Sequence, residues 1–187
     1  MPPEPSLMAL MRVIAGTYGG RRLKAPPGAG TRPTSDRVRE ALFSILGARV
    51  RDARVLDLFA GSGALGLEAL SRGAKGVTFV DDDRAAIAAI KSNLSALGAA
   101  AQVRHSDALR FLSGASAGGD QYDLVFLDPP YRHAERLARP LSEALPAVLA
   151  PGAVAVAECD RRAPLALELS LNDERRYGDT LIRIYGH

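Results

Sequence analysis

The run Val55-Leu56-Asp57-Leu58-Phe59-Ala60-Gly61-Ser62-Gly63-Ala64-Leu65-Gly66 leaves this chain few folds to choose from. Its first half is apolar and strand-like. It stops at two glycines one residue apart and passes directly into Leu65, Leu67 and Leu70, a helical apolar spacing that Gly73 ends. A strand that turns sharply into a helix leaves the first helical N–H groups unpaired, at the positive end of the helix dipole. Such a terminus is a ready seat for an anionic ligand group. Glycines at 61 and 63 let the backbone approach that ligand where a side chain would block it.

The loop alone leaves several readings open. Gly61-Ser62-Gly63-Ala64-Leu65-Gly66 satisfies the G-x-G-x-x-G pattern of a dinucleotide fold, and Asp81 follows Gly61 by 20 residues, where a ribose-binding acid would sit. The same geometry serves class I methyltransferases, which bind S-adenosylmethionine (SAM). A tight strand–helix turn with no ligand is the plainest alternative. A phosphate-cradling Walker loop is excluded, because no Lys-Ser or Lys-Thr follows the glycines.

With 187 residues the chain is long enough for one well-cored domain and an appendage. No apolar run approaches the roughly 20 residues needed to span a membrane. Met1 to Met11 lacks the basic start and apolar middle of a signal peptide. A lone cysteine, Cys159, leaves no disulfide frame and no cysteine-based zinc site. His105, His133 and His187 are scattered, so no metal is expected, and the protein reads as cytoplasmic. The net charge of +3 is unevenly placed: residues 1–40 hold seven basic and three acidic residues, and residues 41–187 hold 17 and 18. A basic arm on a near-neutral body suits a polyanionic partner, although an ordinary solvated segment would have the same composition.

Residues 1–11 carry three prolines and no periodicity, and disorder is expected there. Arg12 to Lys24 reads as a hairpin: Arg12 to Gly16, a turn near Tyr18-Gly19-Gly20, then Arg21 to Lys24. A two-stranded ribbon is marginal alone, so it should lean on the body or a partner. Pro26 to Pro33 is a loop, which makes 12–34 a basic extension and 35–187 the main domain. Ser35 or Asp36 caps a helix with Val38, Ala41, Leu42, Ile45 and Leu46 on one face, ended by Gly47.

From residue 53 the chain alternates. Strands are expected near 54–59, 76–81, 101–106, 122–127 and 152–158, and helices near 63–72, 83–97, 107–113 and 134–149. The pattern gives a Rossmann-like α/β fold: a mostly parallel sheet with helices on both faces and ligands at the strands' carboxyl ends. In the tail, Leu165 to Leu169 and Thr180 to Tyr185 read as an antiparallel hairpin closing the sheet, with Tyr177-Gly178-Asp179 as a turn.

The fourth strand, Tyr122 to Leu127, runs into Asp128-Pro129-Pro130-Tyr131. Two prolines forbid further ladder pairing, so the strand must stop and present its last groups rigidly. A carboxylate, a bare carbonyl and an aromatic ring then stand on the sheet edge that carries the glycine loop. Methylating an exocyclic amine needs these three. Asp128 and the Pro129 carbonyl can accept from the amine N–H groups and favour its pyramidal form, and Tyr131 can stack on the base. Asp81, ending the second strand, would accept from ribose hydroxyls. Of Asp82 and Asp83, one serves as the next helix's N-terminal charge. Asp107 can accept from an adenine amino group or simply cap its helix. Asp57 orients the glycine loop.

In this order, Asp57 to Gly66, Asp81, Asp107 and Asp128 to Tyr131 resemble the motifs of a class I SAM-dependent amino-methyltransferase. The Thr31-Arg32-Pro33-Thr34-Ser35-Asp36-Arg37-Val38-Arg39-Glu40 run, with the Arg-rich hairpin ahead of it, looks like the RsmD family, whose members methylate a guanine N2 in small-subunit ribosomal RNA. The resemblance runs from Arg12 nearly to the end. Ser35 stands where the family often has Thr, and Asp81 where many members have Glu.

The resemblance implies that Arg32 and Thr34 lie near cofactor and target base. The expected cofactor set is Asp57, Ala60, Gly61, Ser62, Gly63, Asp81, Asp82, Asp107 and Ala108, with Arg32 and Thr34. The catalytic set is Asp128, Pro129, Pro130 and Tyr131, and the RNA grip is Arg12, Arg21, Arg22, Lys24 and Arg37. The expected partner is small-subunit rRNA or an assembling 30S subunit, bound by a monomer without metal or membrane. A DNA or protein amine/amide methyltransferase is the nearest rival, since Asp/Asn-Pro-Pro-Tyr serves those too. A nicotinamide oxidoreductase shares the glycine loop but would not need Asp128-Pro129-Pro130-Tyr131 or the basic arm.

Overall fold

The structure, a computed structural model, describes residues 11–27 and 36–187. The body opens with α1 (Asp36–Leu46) and then alternates: β1 (Arg54–Leu58), α2 (Ala64–Ser71), β2 (Gly76–Asp81), α3 (Arg84–Leu97), β3 (Gln102–His105), α4 (Ala108–Gly118), β4 (Tyr122–Leu127), α5 (Ala134–Ala144) and β5 (Leu149–Asp160). A closing hairpin, β6 (Ser170–Tyr177) and β7 (Thr180–Gly186), completes it. All seven strands share one sheet in the order β3-β2-β1-β4-β5-β7-β6. The first five run parallel, and β7 inserts antiparallel between β5 and β6. The order switches between β1 and β4, and there a crevice opens at the carboxyl ends.

Strands covered on both faces read as continuous apolar runs, and alternate residues fill two cores. Val55, Phe79, Leu124, Phe126 and Val156 meet Phe43 of α1, Leu67 of α2 and Ile90 of α3. Leu56, Leu58, Val80, Val125 and Leu127 meet Leu112 of α4 and Leu141 of α5. Gly66 brings α2 down onto the first of these. A Cβ there would stand 2.3 Å from the Phe79 ring and 2.9 Å from a Val77 methyl. Gly66→Ala is therefore expected to cost about 1–3 kcal/mol in urea unfolding, through overpacking. A loss under about 0.5 kcal/mol, the ordinary surface range, would show that α2 shifts outward freely.

Three expectations need correction. Leu165 to Leu169 is not a strand. Tyr185 reaches across it, donating its hydroxyl to the Leu165 carbonyl (2.8 Å) and accepting from the Leu167 N–H (3.2 Å), so a side chain occupies backbone groups a strand partner would take. The hairpin's first arm is β6, Ser-Leu-Asn-Asp-Glu-Arg-Arg-Tyr, an edge strand whose charges replace apolar alternation. The last major helix ends at Ala144 rather than near 149; Pro146 cannot extend an α-helical ladder, and Leu145–Ala147 forms a 3-10 turn. The helix expected at 107–113 runs on to Gly118. The N-terminal hairpin forms as expected and is short: one antiparallel bridge joins Arg12 and Arg22, flanked by Val13 N–H to the Arg21 carbonyl (2.9 Å) and Leu23 N–H to the Met11 carbonyl (2.8 Å). Of the stretch expected to be disordered, all but Met11 lies outside the described residues, as does Ser35.

Candidate active site

The glycine loop is shaped by three left-handed residues. Phe59 (φ 67°), Gly61 (φ 56°) and Gly63 (φ 79°) turn the chain out of β1 and into α2. A bulky residue in that region carries strain, of the kind found where a loop must take one shape to work. Gly63 caps α2 without a side-chain hydrogen bond, so no capping side chain competes for the helix terminus. A Cβ on Gly61 would meet nothing within 4 Å. The loop's open side is thus a cradle that only glycine leaves clear.

The acids hold this cradle from beneath. Asp81 Oδ2 accepts from Gly61 N–H (2.8 Å) and Oδ1 from Asp83 N–H (2.9 Å), tying the loops after β1 and β2 together. A carboxylate has about four acceptor sites, so two remain for a ligand. Asp57, 2% exposed, accepts from Gly66 N–H (2.9 Å) in the first turn of α2 and sits below the loop. Asp82 is exposed, and Asp83 caps α3 by accepting from Ala85 N–H. Asp107 caps α4, with Oδ1 accepting from Leu109 and Arg110, beside buried Ala108. Its second oxygen has no part in the cap. This donor and acceptor set fits SAM: an open glycine cradle, a carboxylate with spare acceptor sites at the end of β2, and another after β3.

Register assembles the other half of the site. Leu127 lies beside Leu58 of β1 and Ala157 of β5, so Asp128, Phe59 and Glu158 follow together at the carboxyl ends. Asp57, Asp128 and Glu158 share one face of the sheet. Burial pushes the Asp57 carboxyl up to about 8, against the Gly66 hydrogen bond, and the Asp81 charge adds to the rise. Asp128 is raised well above the usual carboxylate range by burial, then by the charges of Glu158 and Asp57. Asp81 is raised by burial, offset in part by its two backbone donors. Among the described residues, no hydrogen bond reaches the Asp128 carboxylate or the Pro129 carbonyl. The Pro130 carbonyl accepts from His133 N–H (2.8 Å) and starts the turn into α5. The Tyr131 side chain, Arg32 and Thr34 lie outside what the structure describes.

The Asp57 shift has a sign that can be checked. A carboxyl raised on folding contributes stability that is complete below about pH 4, the unfolded value, and lost as pH climbs toward the folded value. Asp57→Asn carries no such charge. Its stability relative to wild type is expected to improve steadily from pH 5 to pH 9 in urea titrations. A difference that ignores pH would show that Asp57 does not titrate in this window.

The basic arm is bolted to the helices beside this site. Glu68 of α2 is fully buried, and its carboxylate accepts from Ile14 N–H (2.7 Å), Ala15 N–H (3.1 Å) and Arg72 Nε (2.7 Å). Ser71 donates to the Ala15 carbonyl and accepts from Tyr18 N–H. Buried Arg39 donates to the Arg12 carbonyl and to Asp36. Val13 and Leu23 join the core under α1 to α3. Of the expected RNA-binding cations, Arg12 pairs with Asp36 (2.9 Å) and Arg21 donates to the Ala96 carbonyl (2.6 Å), while Arg22, Lys24 and Arg37 are exposed.

Glu68, Asn93 and Glu158 escaped sequence reasoning. Each had a signal: a lone acid in a Leu/Ala helix, an amide among Ile90, Leu94 and Leu97, and an acid ending an apolar strand. Among the described residues, no group of three His, Cys, Asp or Glu could hold a metal ion.

Comparison with known proteins agrees with this geometry. The model of a family described as Conserved hypothetical protein 95 matches residues 11–186. Ribosomal RNA small subunit methyltransferase D of Haemophilus influenzae is 37% identical over 188 residues, covering 97% of this chain and 96% of that protein. The solved structure of yhhF from Escherichia coli superposes with a TM-score of 0.79 at 40% identity, covering 95% of this chain and 98% of that one. A Thermus thermophilus 16S rRNA N2 G1207 methyltransferase, RsmC, in complex with AdoMet and guanosine, superposes with a TM-score of 0.68 at 26% identity, covering 99% of this chain and 52% of that one.

Proposed function

The chain belongs to the RsmD family of ribosomal RNA methyltransferases, and we infer from its site that it moves a methyl group from SAM to the exocyclic N2 of a guanine in small-subunit rRNA. One observation carries the chemistry: Asp128 stands at the switch point beside the glycine cradle, and no described residue bonds its carboxylate. When bound, SAM supplies an electrophilic methyl group on a sulfonium sulfur. Asp81 would hold its ribose hydroxyls, Asp107 its adenine amino group, and the backbone from Ala60 to Gly63 would lie against it. Asp128 and the Pro129 carbonyl accept from the two N–H groups of the target amine and turn its lone pair toward the methyl. Surroundings that raise the proton affinity of Asp128 also suit it to take the proton the methylated nitrogen sheds. An amine paired in a helix cannot enter such a site, so the base is unpaired or flipped.

Arg21, Arg22 and Lys24 on the docked arm, with Arg37 beside it, supply the phosphate contacts, on naked rRNA or an assembling 30S subunit. The charged edge strand β6 resists pairing with a second copy, which supports a monomer, and the likeness to rRNA methyltransferases supports the cytoplasm as its place. Among the described residues, no helix is long and apolar enough to cross a membrane.

Nucleoside mass mapping of 16S rRNA tests the activity directly. A strain lacking this protein should lose one N2-methylguanine and regain it on complementation; an unchanged map ends the reading. For the arm, truncation would also strip Val13 and Leu23 from the core, so charge removal is the cleaner probe. Replacing Arg21, Arg22 and Lys24 with Ala is expected to lower RNA affinity and reduce its salt slope by about 2–3, near one for each phosphate no longer neutralised. SAM affinity should not change. An unaltered slope would mean the arm only packs on the body.

A further inference from the structure

Asn93 ties the arm to the cofactor loop. It stands on the apolar face of α3, 2% exposed. Its amide donates to the Lys24 carbonyl (3.0 Å) and the Ser62 carbonyl (3.1 Å) and accepts from Lys24 N–H (2.8 Å). For Lys24 it does what a neighbouring strand would do, returning one donor and one acceptor to the same residue. For Ser62, between Gly61 and Gly63, it holds the carbonyl in place. The Ser62 hydroxyl donates to Met11 Sδ (3.1 Å), and Leu23 N–H donates to the Met11 carbonyl (2.8 Å). Both ends of the arm therefore close on one residue of the glycine loop.

A buried amide is costly unless its donors and acceptor are met. Loosening either the arm or the loop leaves Asn93 with an unpaired N–H, so the two segments order together. A ligand that fixes one of them lowers the entropic cost of fixing the other.

We propose that Asn93 is a positioning residue through which RNA on the arm and SAM on the glycine loop strengthen each other's binding. The inference rests on the arm as the RNA grip and the loop as the cofactor seat. Lys24 is the joint, with its ammonium exposed to phosphate and its backbone held by Asn93.

Two measurements on the full chain separate the link from the RNA reading. S-adenosylhomocysteine, the demethylated product, should slow hydrogen exchange at the Leu23 and Lys24 amides with no RNA present; unchanged exchange overturns the link. In calorimetry, a 16S rRNA transcript should tighten S-adenosylhomocysteine binding about fivefold or more in the wild type, in the range of ordinary coupling energies. Asn93→Asp keeps the acceptor for Lys24 N–H and loses the donations to the Ser62 and Lys24 carbonyls, so the coupling should vanish while each ligand still binds alone. Asn93→Ala should act likewise; if it fails to fold, Asn93→Asp and the wild type carry the test. Coupling absent in the wild type, or retained in Asn93→Asp, overturns the proposal. A wild type that binds no rRNA removes the RNA grip and the RNA half of the proposal, and the exchange result still decides whether arm and loop are linked.

Discussion

Asp128→Ala is expected to slow single-turnover methylation about a hundredfold or more, the loss typical of one preorganised polar group in a site. SAM affinity should be unchanged, because the proposed cofactor set lies on the loops after β1, β2 and β3 while Asp128 follows β4. Asp128→Asn keeps an acceptor of the same size and should fall between the two. The pH profile separates the roles further. Only the ionised carboxylate can take the proton the methylated nitrogen sheds, and burial with Glu158 and Asp57 nearby raises its pKa. Wild-type turnover should therefore be lost on the acid side at a higher pH than an ordinary carboxylate would give. Asp128→Asn should lack that limb. Near-normal turnover by Asp128→Ala would refute the mechanism even with methyltransferase activity in hand.

The second large effect is expected at Glu68, far from the reacting atoms. Glu68→Ala removes the buried partner of Arg72 and the acceptor for two arm amides at once. Breaking a buried pair from one side costs about 3–5 kcal/mol, and urea unfolding should show a loss of that size. Arg72 also lies 5.0 Å from the Phe43 ring centroid, so its release disturbs α1 as well. RNA affinity should drop with the undocked arm while SAM binding survives wherever the protein remains folded. Glu68→Gln keeps the shape but turns a donor toward donors, and should lose less. A cost below about 1 kcal/mol, the range of exposed pairs, would show that the arm is held by Val13, Leu23 and its bonds to Ser71, Arg39 and Asn93 without Glu68.

The sequence by itself determined the strand–glycine loop–helix turn, the parallel alternation after it, and the acids at 57, 81, 107 and 128 with their place at the strand ends. These are local statements: period, glycine, proline and cap chemistry act within a few residues, and a strand that stops at two prolines must present what precedes them. Even the error at Leu165 to Leu169 was local, since that run alternates as a strand does. Only the tertiary structure decided that Tyr185, 20 residues from Leu165, takes its carbonyl and leaves the polar run of β6 to form the edge. It also decided that Glu158 lies beside Asp128, because strand register is set by neighbours in space. Glu68 reaches an arm 53 and 54 residues away, and Asn93 reaches Lys24 across 69. A buried polar side chain must be satisfied, but nothing in its own neighbourhood of sequence names the partner; that choice belongs to the packing of α1, α2 and α3 against the sheet, which brings the arm within their reach.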